Sequence, residues 1–229
     1  MTHASYNFLQ ILNDTCVRKC GELVNVLITA GGTREDIDPV RGITNYSTGM
    51  LGCLIAERFM QGGAKVTYIR GEAAARPQNL NVLTIRNVAQ LQEKLEQTLN
   101  SKRYDCVIHS MAVSDYSPVS TSKKKISSDS PYLIVVLKKS PKVIRRIKEI
   151  QPNTILVGFK LLAEASEAAL IESARKQMEH SRSDYVLANA LENISADSHK
   201  AILLNHSGIV ARGNTKEAIA NMIYSEVTR

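Results

Sequence analysis

The segment from Asn25 to Gly52, NVLITAGGTREDIDPVRGITNYSTGMLG, constrains the fold more than any other part of the chain. It opens with an apolar, β-branched run from Asn25 to Thr29, which predicts a buried strand. The pair Gly31-Gly32 follows, where the missing side chains allow a sharp turn and the close approach of a ligand. A polar loop then leads to a helix-like run from Met50 to Met60. This order predicts an anion site, because the first N–H groups and the positive dipole end of a helix attract phosphate.

Beyond this segment the chain alternates predicted strands and helices. Strands are predicted at 25–29, 65–70, 81–85, 105–111, 132–137, 154–159, 184–188, 201–204 and 209–212. Helices are predicted at 50–61, from 87 to about 99, from 140 onward, from 164 to about 181, and from 214 to 226. The alternation predicts an α/β, Rossmann-like, doubly wound and mostly parallel sheet with helices on both faces and a small C-terminal β-hairpin.

Three helix starts carry capping signals. Asn87, Ser140 and Asn214 are predicted N-caps, and Pro141 after Ser140 stands at the first helical position that proline favours.

In open α/β sheets, ligands bind beyond the carboxyl ends of the strands. The loops after strands 25–29, 105–111, 154–159 and 184–188 are therefore the places where site residues are expected.

We expect residues 1–24 to form an N-terminal helical extension and residues 25–229 to form a single Rossmann-like domain, since 229 residues suffice for one sizeable core. Residues 119–131 are rich in serine and lysine and predict a loop.

Composition narrows the class of protein without choosing a function. The net charge of +7 suits nucleic acid or small polyanions such as nucleotides. No apolar run approaches the roughly 20 residues that span a bilayer, and no signal-peptide pattern opens the chain. Cys16, Cys20, Cys53 and Cys106 form no zinc-type set, so we expect reduced thiols and a cytoplasmic protein.

Later segments follow the first in a fixed order: AVSDY at 112–116, Lys125-Ile126, KSPKVI at 139–144, GFKL at 158–161 and Ala188-Asn189. With the long motif from Ile28 to Gly52, they resemble the phosphopantothenate–cysteine ligase (phosphopantothenoylcysteine synthetase) family, in its monofunctional bacterial form. The likeness covers nearly all of the chain after Asn25, and the first motif is the most specific.

The resemblance implies a ligase that joins 4′-phosphopantothenate to L-cysteine in coenzyme A biosynthesis. In this family a nucleoside triphosphate converts the carboxylate into an acyl-nucleotidylate with release of pyrophosphate, and the cysteine amine then attacks. Because the carboxylate and the nucleoside triphosphate are both anions, the reaction needs Mg²⁺ and lysines to offset their repulsion. The resemblance further implies CTP or ATP as co-substrate, with CTP favoured, and a homodimer.

The family's site positions carry over onto this sequence in three groups. The resemblance implies catalytic roles for Asn45, Lys125 and Arg41. It implies that phosphopantothenate is held by Gly31, Gly32, Ser47, Thr48, Gly49, Gly52 and Asn189. It implies that the nucleotide is contacted by Met111, Ala112, Asp115, Lys125, Ser140, Pro141 and Phe159. No metal ligands are predicted.

Local sequence also offers simpler interpretations of these residues. An asparagine such as Asn45 before a helix is ordinarily a turn or cap residue, and Ser47 or Thr48 can serve as a plain N-cap. Arg41 alone is a surface charge, and lysines in a serine-rich loop are mostly solvated.

Two observations leave open whether the nucleotide co-substrate is CTP or ATP. In CTP-using bifunctional bacterial enzymes, two lysines on the helix after the GF segment contact the nucleotide, and the matching positions here are Gln177 and Ser181. The sequence GFKL at 158–161 is also more similar to that of monofunctional relatives, which include ATP-using eukaryotic enzymes.

Two other functions fit the composition less well. An NAD(P)-dependent reductase on a Rossmann-like fold would carry G-x-G-x-x-G after the first strand, and this chain does not. A nucleic-acid-binding regulator fits the charge, but the aromatic share is only 5%, with no tryptophan and no RNP-like or helix-turn-helix signature. We therefore expect small-molecule partners, and neither nucleic acid nor a membrane.

Overall fold

The computed structural model describes residues 25–195 and 198–229. The extension predicted for residues 1–24, with Cys16 and Cys20, lies outside the described residues. The strands of the described part are β1 Asn25–Ala30, β2 Arg34–Asp36, β3 Gly42–Thr44, β4 Lys65–Gly71, β5 Val82–Ile85, β6 Cys106–His109, β7 Tyr116–Pro118, β8 Leu137–Lys139, β9 Ile155–Leu162, β10 Tyr185–Ile194, β11 His199–Asn205 and β12 Gly208–Gly213. The helices are α1 Met50–Gln61, α2 Val88–Ser101, α3 Val143–Ile150, α4 Glu167–Ser181 and α5 Lys216–Val227.

One eight-stranded sheet organises the molecule, in the order β12-β11-β10-β9-β6-β1-β4-β5. The strands from β10 to β5 pair in parallel, whereas β11 and β12 add to the edge as an antiparallel hairpin. The parallel strands follow the Rossmann order 3-2-1-4-5-6, with the switch in direction between β1 and β6. This confirms the predicted fold class, including the C-terminal hairpin.

Helices cover both faces of this sheet because each strand of its centre is apolar on both sides. On one face, α1 and α5 pack Ile55, Phe59 and Ile223 against Ile28 and Ile108. On the other face, α2 and α3 cover the centre of the sheet, and α4 covers β9 and β10. In the part of the chain that the structure describes, no helix has the length and apolar character needed to cross a membrane.

The predicted strand at 132–137 is wrong. Only Leu137 of that run is in a strand, the short β8, which pairs with β7. Tyr132, Ile134 and Val136 lie exposed at 81%, 86% and 66%. Strand propensity reflects packing on a half-buried pleated surface, and no such surface faces these side chains within the described residues.

Two of the predicted caps are also wrong, and one is confirmed. The Asn87 side chain accepts from Gln90 N and caps α2 as predicted. The N-cap of α3 is Lys142 rather than Ser140, whose N–H is already held by the Asp115 carbonyl at 2.8 Å. Thr215 rather than Asn214 caps α5.

Candidate active site

The loops after β1 and β6 meet at the switch point of the sheet. Ala112 N donates to the Gly31 carbonyl at 2.7 Å, and Thr33 N donates to the Ala112 carbonyl at 3.2 Å. Gly32 and Ala112 form an isolated parallel bridge. The structure therefore brings Gly31, Gly32, Met111 and Ala112 together, although they lie about 80 residues apart in the sequence.

Two glycines with positive φ join the turn after β1 to the start of α1. Gly31 has φ 85° and Gly49, the N-cap of α1, has φ 70°. A Cβ at either position would lie 2.3 Å or 2.8 Å from the Cβ of Ala74. These glycines are needed for both backbone conformation and space, so the amino end of α1 lies directly against the β1 turn.

The amino end of α1 is open at its first N–H groups. No side chain of the described residues makes a capping hydrogen bond there, and Thr48 Oγ1 accepts from Met50 N only at a long 3.4 Å. The plain N-cap interpretation of Ser47 and Thr48 is therefore wrong. At Gly52 a Cβ would lie 2.4 Å from that of Ala30, so the helix backbone rests on β1. Uncapped N–H groups at a helix start are the donors that bind anions.

Asn45 is exposed beside this helix start. The hairpin β2–β3 carries it there, and Thr44 Oγ1 fixes the hairpin end by donating to the Thr33 carbonyl at 2.8 Å. The Asn45 amide donates from Nδ2 to the Val113 carbonyl at 3.3 Å. Its side chain thus reaches from the loop after β1 to the loop after β6, at the carboxyl ends of both strands.

Lys125 lies in the long connection between β7 and β8, residues 119–136, which we name the flap. Val119 N donates to the Val136 carbonyl at 2.9 Å and closes the base of the flap. Lys125 itself is exposed, and the next residue, Ile126, contacts Arg41: Arg41 Nη1 donates to the Ile126 carbonyl at 3.1 Å. The structure therefore brings two of the predicted catalytic residues into one region.

The predicted nucleotide residues Asp115, Ser140 and Pro141 form a second group next to the loop after β6. The Asp115 carboxylate is exposed and lies 2.5 Å from Lys142 Nζ, while its carbonyl accepts from Ser140 N. Ser140 Oγ is buried, and no hydrogen-bond partner for it lies in the described residues. Pro141 is exposed.

Phe159 and Asn189 lie within strands rather than in the loops after them. The prediction that these strands end near 159 and 188 is wrong, because β9 continues to Leu162 and β10 to Ile194. Phe159 is half-buried and packs against the core under α1. Asn189 is buried, and its Nδ2 lies 3.1 Å from His199 Nε2. Asn189 therefore lies in the interior of β10, five residues before the strand ends at Ile194.

The positions that match the nucleotide-contacting lysines lie on α4. Ser181 is buried, and its hydroxyl donates to the Gln177 carbonyl at 2.6 Å. A Cβ at Gly158 would lie 2.5 Å from Gln177 Nε2, so Gln177 lies against the GF segment. Ser181 Oγ also lies 2.6 Å from Ser183 Oγ, so both positions lie on the side of α4 that is close to the strand carrying Phe159.

Sequence reasoning missed four buried polar residues around the site, Thr33, Asp38, His109 and Ser114. His109 ends β6, its Nδ1 lies 2.7 Å from Thr29 Oγ1, and burial lowers its pKa to about 4, so it is neutral at pH 7. Ser114 N and Thr33 Oγ1 join the two site loops at 2.9 Å. Asp38, fully buried, binds the loop around it; its place before Pro39 is the turn signal that could have identified it.

Comparison with known proteins identifies relatives that match nearly the whole chain. The family model of the DNA/pantothenate metabolism flavoprotein C-terminal domain matches residues 22–229. The coenzyme A biosynthesis bifunctional protein CoaBC of Thermococcus kodakarensis is 38% identical over 205 residues, 89% of this chain and 51% of that protein. The chain thus spans about half the length of this curated relative.

Solved structures agree with this match. The DNA/pantothenate metabolism flavoprotein of Streptococcus pneumoniae has a TM-score of 0.82 and 36% identity, covering 89% of this chain and 98% of that one. The C-terminal domain of a coenzyme A biosynthesis bifunctional protein CoaBC has a TM-score of 0.71 and 25% identity, covering 90% of this chain and 94% of that one.

Proposed function

The chain belongs to the family of the DNA/pantothenate metabolism flavoprotein C-terminal domain, and from this premise we propose that it is a phosphopantothenate–cysteine ligase of coenzyme A biosynthesis. The observation that carries the proposal is the uncapped amino end of α1, held against the Gly31 turn with the Asn45 amide beside it. Neither the family match nor the long polar loop after β1 supports the NAD(P)-dependent reductase.

The reaction consists of two substitutions. A carboxylate oxygen of 4′-phosphopantothenate bonds to the α-phosphorus of a nucleoside triphosphate, and the bond from that phosphorus to the bridging oxygen breaks, releasing pyrophosphate. The cysteine amine then bonds to the acyl carbon, the nucleoside monophosphate leaves with the bonding electrons, and the amine nitrogen loses a proton.

The amino end of α1 suits the phosphate of phosphopantothenate. Its N–H groups supply donors, since Thr48 Oγ1 accepts from Met50 N only at a long 3.4 Å, and the adjoining Gly31 and Gly32 allow close approach. Ser47 and Thr48 add hydroxyls at the same end, and Asn189, within β10, supplies an amide for the pantetheine portion. The charge and hydrogen-bonding needs of this substrate are thereby met by backbone and neutral side chains.

Asn45 suits the mixed anhydride because an amide donates to an acyl oxygen and is a poor nucleophile. The side chain is exposed, and its Nδ2 makes a long hydrogen bond to the Val113 carbonyl at 3.3 Å, which a substrate oxygen can replace. A preorganised donor aimed at developing negative charge is worth about 10²- to 10³-fold in rate.

The nucleotide is proposed to lie along the loop after β6 and α3. The backbone of Met111 and Ala112, the Asp115 carboxylate and the segment from Ser140 to Pro141 line this side, and Phe159 walls it. Lys125 on the flap supplies a cation for the phosphates, and Arg41 adds charge at the base of the same region. We favour CTP over ATP as the co-substrate.

Magnesium is proposed as the accompanying ion. Within residues 25–195 and 198–229, no three His, Cys, Asp or Glu side chains come together to hold a metal. This fits Mg²⁺, which is generally held by one or two carboxylates together with substrate phosphates; Asp115 is the exposed carboxylate beside the site. When bound, the ion offsets the charge of the phosphate oxygens.

A cytoplasmic homodimer completes the proposal. The exposed run Tyr132, Ile134 and Val136 on the flap supports the dimer, as do Leu161 of β9 at 49% and Leu191 of β10 at 54% exposure. Contiguous exposed apolar side chains mark interaction surfaces.

The deciding experiment measures pyrophosphate release with 4′-phosphopantothenate and Mg²⁺, with CTP and ATP supplied separately, in the presence and absence of cysteine. We expect release that is followed by amide formation only when cysteine is present. A folded protein that releases no pyrophosphate with either nucleotide would refute the ligase proposal.

A further inference from the structure

Asp38 accepts more hydrogen bonds than a turn requires. The residue lies between β2 and β3, and its side chain is completely buried. Oδ1 accepts from the N–H groups of Val40 at 2.9 Å and Arg41 at 2.8 Å, which is an ordinary turn. Oδ2 points away from the turn and accepts from Arg41 Nη1 at 2.8 Å and from Ile126 N at 3.2 Å. One carboxylate thus joins the hairpin to the flap, 88 residues away.

The bonded N–H of the flap belongs to a particular peptide group. The Ile126 N–H and the Lys125 carbonyl are parts of the same planar unit, so Asp38 fixes the peptide that follows the Lys125 Cα. Arg41 Nη1 also donates to the Ile126 carbonyl at 3.1 Å and fixes the next peptide. The backbone is therefore held on the carboxyl side of Lys125, while the lysine side chain itself is exposed.

Two neutral hydrogen bonds attach the flap at its amino-terminal part. Thr121 Oγ1 donates to the Asp36 carbonyl at 3.0 Å, and Ser122 N donates to the Ile37 carbonyl at 2.9 Å. Both acceptors are neutral backbone groups, whereas Asp38 offers a charge. Asp38 therefore adds a charge-assisted hydrogen bond, at 3.2 Å, to these two neutral ones, and it is the one made at the peptide next to Lys125.

The carboxylate is held in its charged form. Burial by itself raises the pKa of Asp38, but N–H donation by Val40, Ile126 and Arg41, together with the Arg41 charge, brings the pKa below its ordinary value. The acceptor for Ile126 is thus ionised at neutral pH.

We propose that Asp38 is a positioning residue of the ligase, which fixes the Lys125–Ile126 peptide and so sets where the Lys125 ammonium meets the nucleotide phosphates. This rests on the proposed function for the task of the lysine. Arg41 belongs to the same clamp, because its Nη1 is shared between Asp38 and Ile126. A lysine on a flexible four-carbon stem supplies a point charge, and a fixed backbone limits the region that charge can reach.

The clamp is tested first without any substrate, by amide hydrogen exchange of Ile126 in wild type, Asp38→Asn and Asp36→Asn. Asp36 provides a matched control in the same hairpin, since its carboxylate binds Arg86 and touches no flap residue. We expect Ile126 to exchange at least about tenfold faster in Asp38→Asn and at the wild-type rate in Asp36→Asn. Unchanged exchange in Asp38→Asn would overturn the clamp.

The catalytic part is tested by a double-mutant cycle on pyrophosphate release. Asp38→Asn is expected to lower the rate by about 10- to 100-fold, because small misplacements of a catalytic group cost about that much. Asp38→Asn combined with Lys125→Gln is expected to be no slower than Lys125→Gln alone, since the position of an absent lysine is immaterial. Losses that multiply would show that Asp38 does not act through Lys125.

Two controls keep the outcomes distinct. If Asp38→Asn does not fold, Ile126→Pro takes its place in the cycle, since it removes the donor on the flap and leaves the Asp38 side chain unchanged. If wild type releases no pyrophosphate, the ligase function fails, whereas the exchange rate of Ile126 still decides whether the clamp exists.

Discussion

At the scale of single residues, Asn45 carries the clearest chemical prediction. Asn45→Asp should fold normally, because the side chain is exposed and makes one long hydrogen bond. Cysteine-dependent product formation should fall by about 10²- to 10³-fold, since a donor becomes a negative acceptor beside an anionic intermediate. Quenched-flow measurement of the amide product checks this.

Asn87→Asp is the matched control for this change. It introduces the same charge at another asparagine with a local hydrogen bond, and aspartate caps α2 as well as asparagine does. We expect its turnover and melting temperature to equal those of wild type. Near-normal turnover of Asn45→Asp would remove Asn45 from the catalytic assignment.

From the burial of His109 we predict how the free energy of unfolding depends on pH. Burial lowers its folded-state pKa to about 4, against an unfolded value near 6.5, so between these values the unfolded chain binds a proton that the folded chain does not. The free energy of unfolding should therefore decrease as pH falls from about 6.5 to about 4, by about 3 kcal/mol from this residue.

Urea denaturation at pH 7 and pH 4.5 measures this effect. His109→Gln should lack the His109 contribution, and its free energy of unfolding should depend less on pH than that of wild type. His206→Gln, at an exposed loop position, should keep the wild-type dependence. Equal pH dependence in His109→Gln and wild type would contradict the buried, neutral histidine.

At the scale of elements, the amino end of α1 depends on Gly49. Gly49→Ala should lower the free energy of unfolding by about 1–2 kcal/mol for the left-handed backbone, with about 1–3 kcal/mol more for crowding against Ala74. It should also weaken binding of inorganic phosphate. Chemical denaturation and calorimetry measure the two effects.

Gly208→Ala separates backbone conformation from crowding. Gly208 also has a positive φ, but a Cβ there meets nothing within 4 Å. We expect it to lose stability through backbone strain alone, since φ 132° is a region that residues with a Cβ rarely adopt, and to leave phosphate binding intact. Adding Ala74→Gly to Gly49→Ala should restore part of the lost stability; if it restores none, crowding against Ala74 is not the cause.

The flap predicts a difference between neighbouring lysines. Lys125→Gln should slow pyrophosphate release by about 10²-fold, because its peptide is the one held at the hairpin. Lys123→Gln, an equally exposed change two residues away, should leave the rate unchanged. Equal rates for both variants and wild type would show that Lys125 on the flap takes no part in pyrophosphate release.

At the scale of the whole molecule, the exposed apolar run on the flap predicts a dimer. Ile134→Glu should shift the mass measured by analytical ultracentrifugation from two chains to one, because burying an unpaired charge in an interface is costly. Leu83→Glu, at the partly exposed edge strand β5, should remain dimeric. A wild-type mass of one chain would refute the dimer.

Most of the fold could be predicted because it follows from local patterns. The strands of the parallel sheet are short apolar runs, and α1 and α2 have helical spacing with a glycine stop or an asparagine cap. The misplaced strand at 132–137 shows the limit of such patterns, since β-branched and aromatic residues can equally belong to a surface segment. The caps at Ser140 and Asn214 failed because neighbouring residues took those positions.

The sequence by itself determined the strand–helix alternation, the glycine turn after β1 and the family motifs, because propensity, periodicity and glycine's backbone freedom act over a few neighbouring residues. Only the tertiary structure decided that Asp38 holds Ile126, that Asn45 reaches Val113 and that His109 is buried beside Thr29. These contacts join residues 68 to 88 positions apart. Such partners are chosen by how the strands pair and by which groups are removed from water together, and no local pattern carries that information.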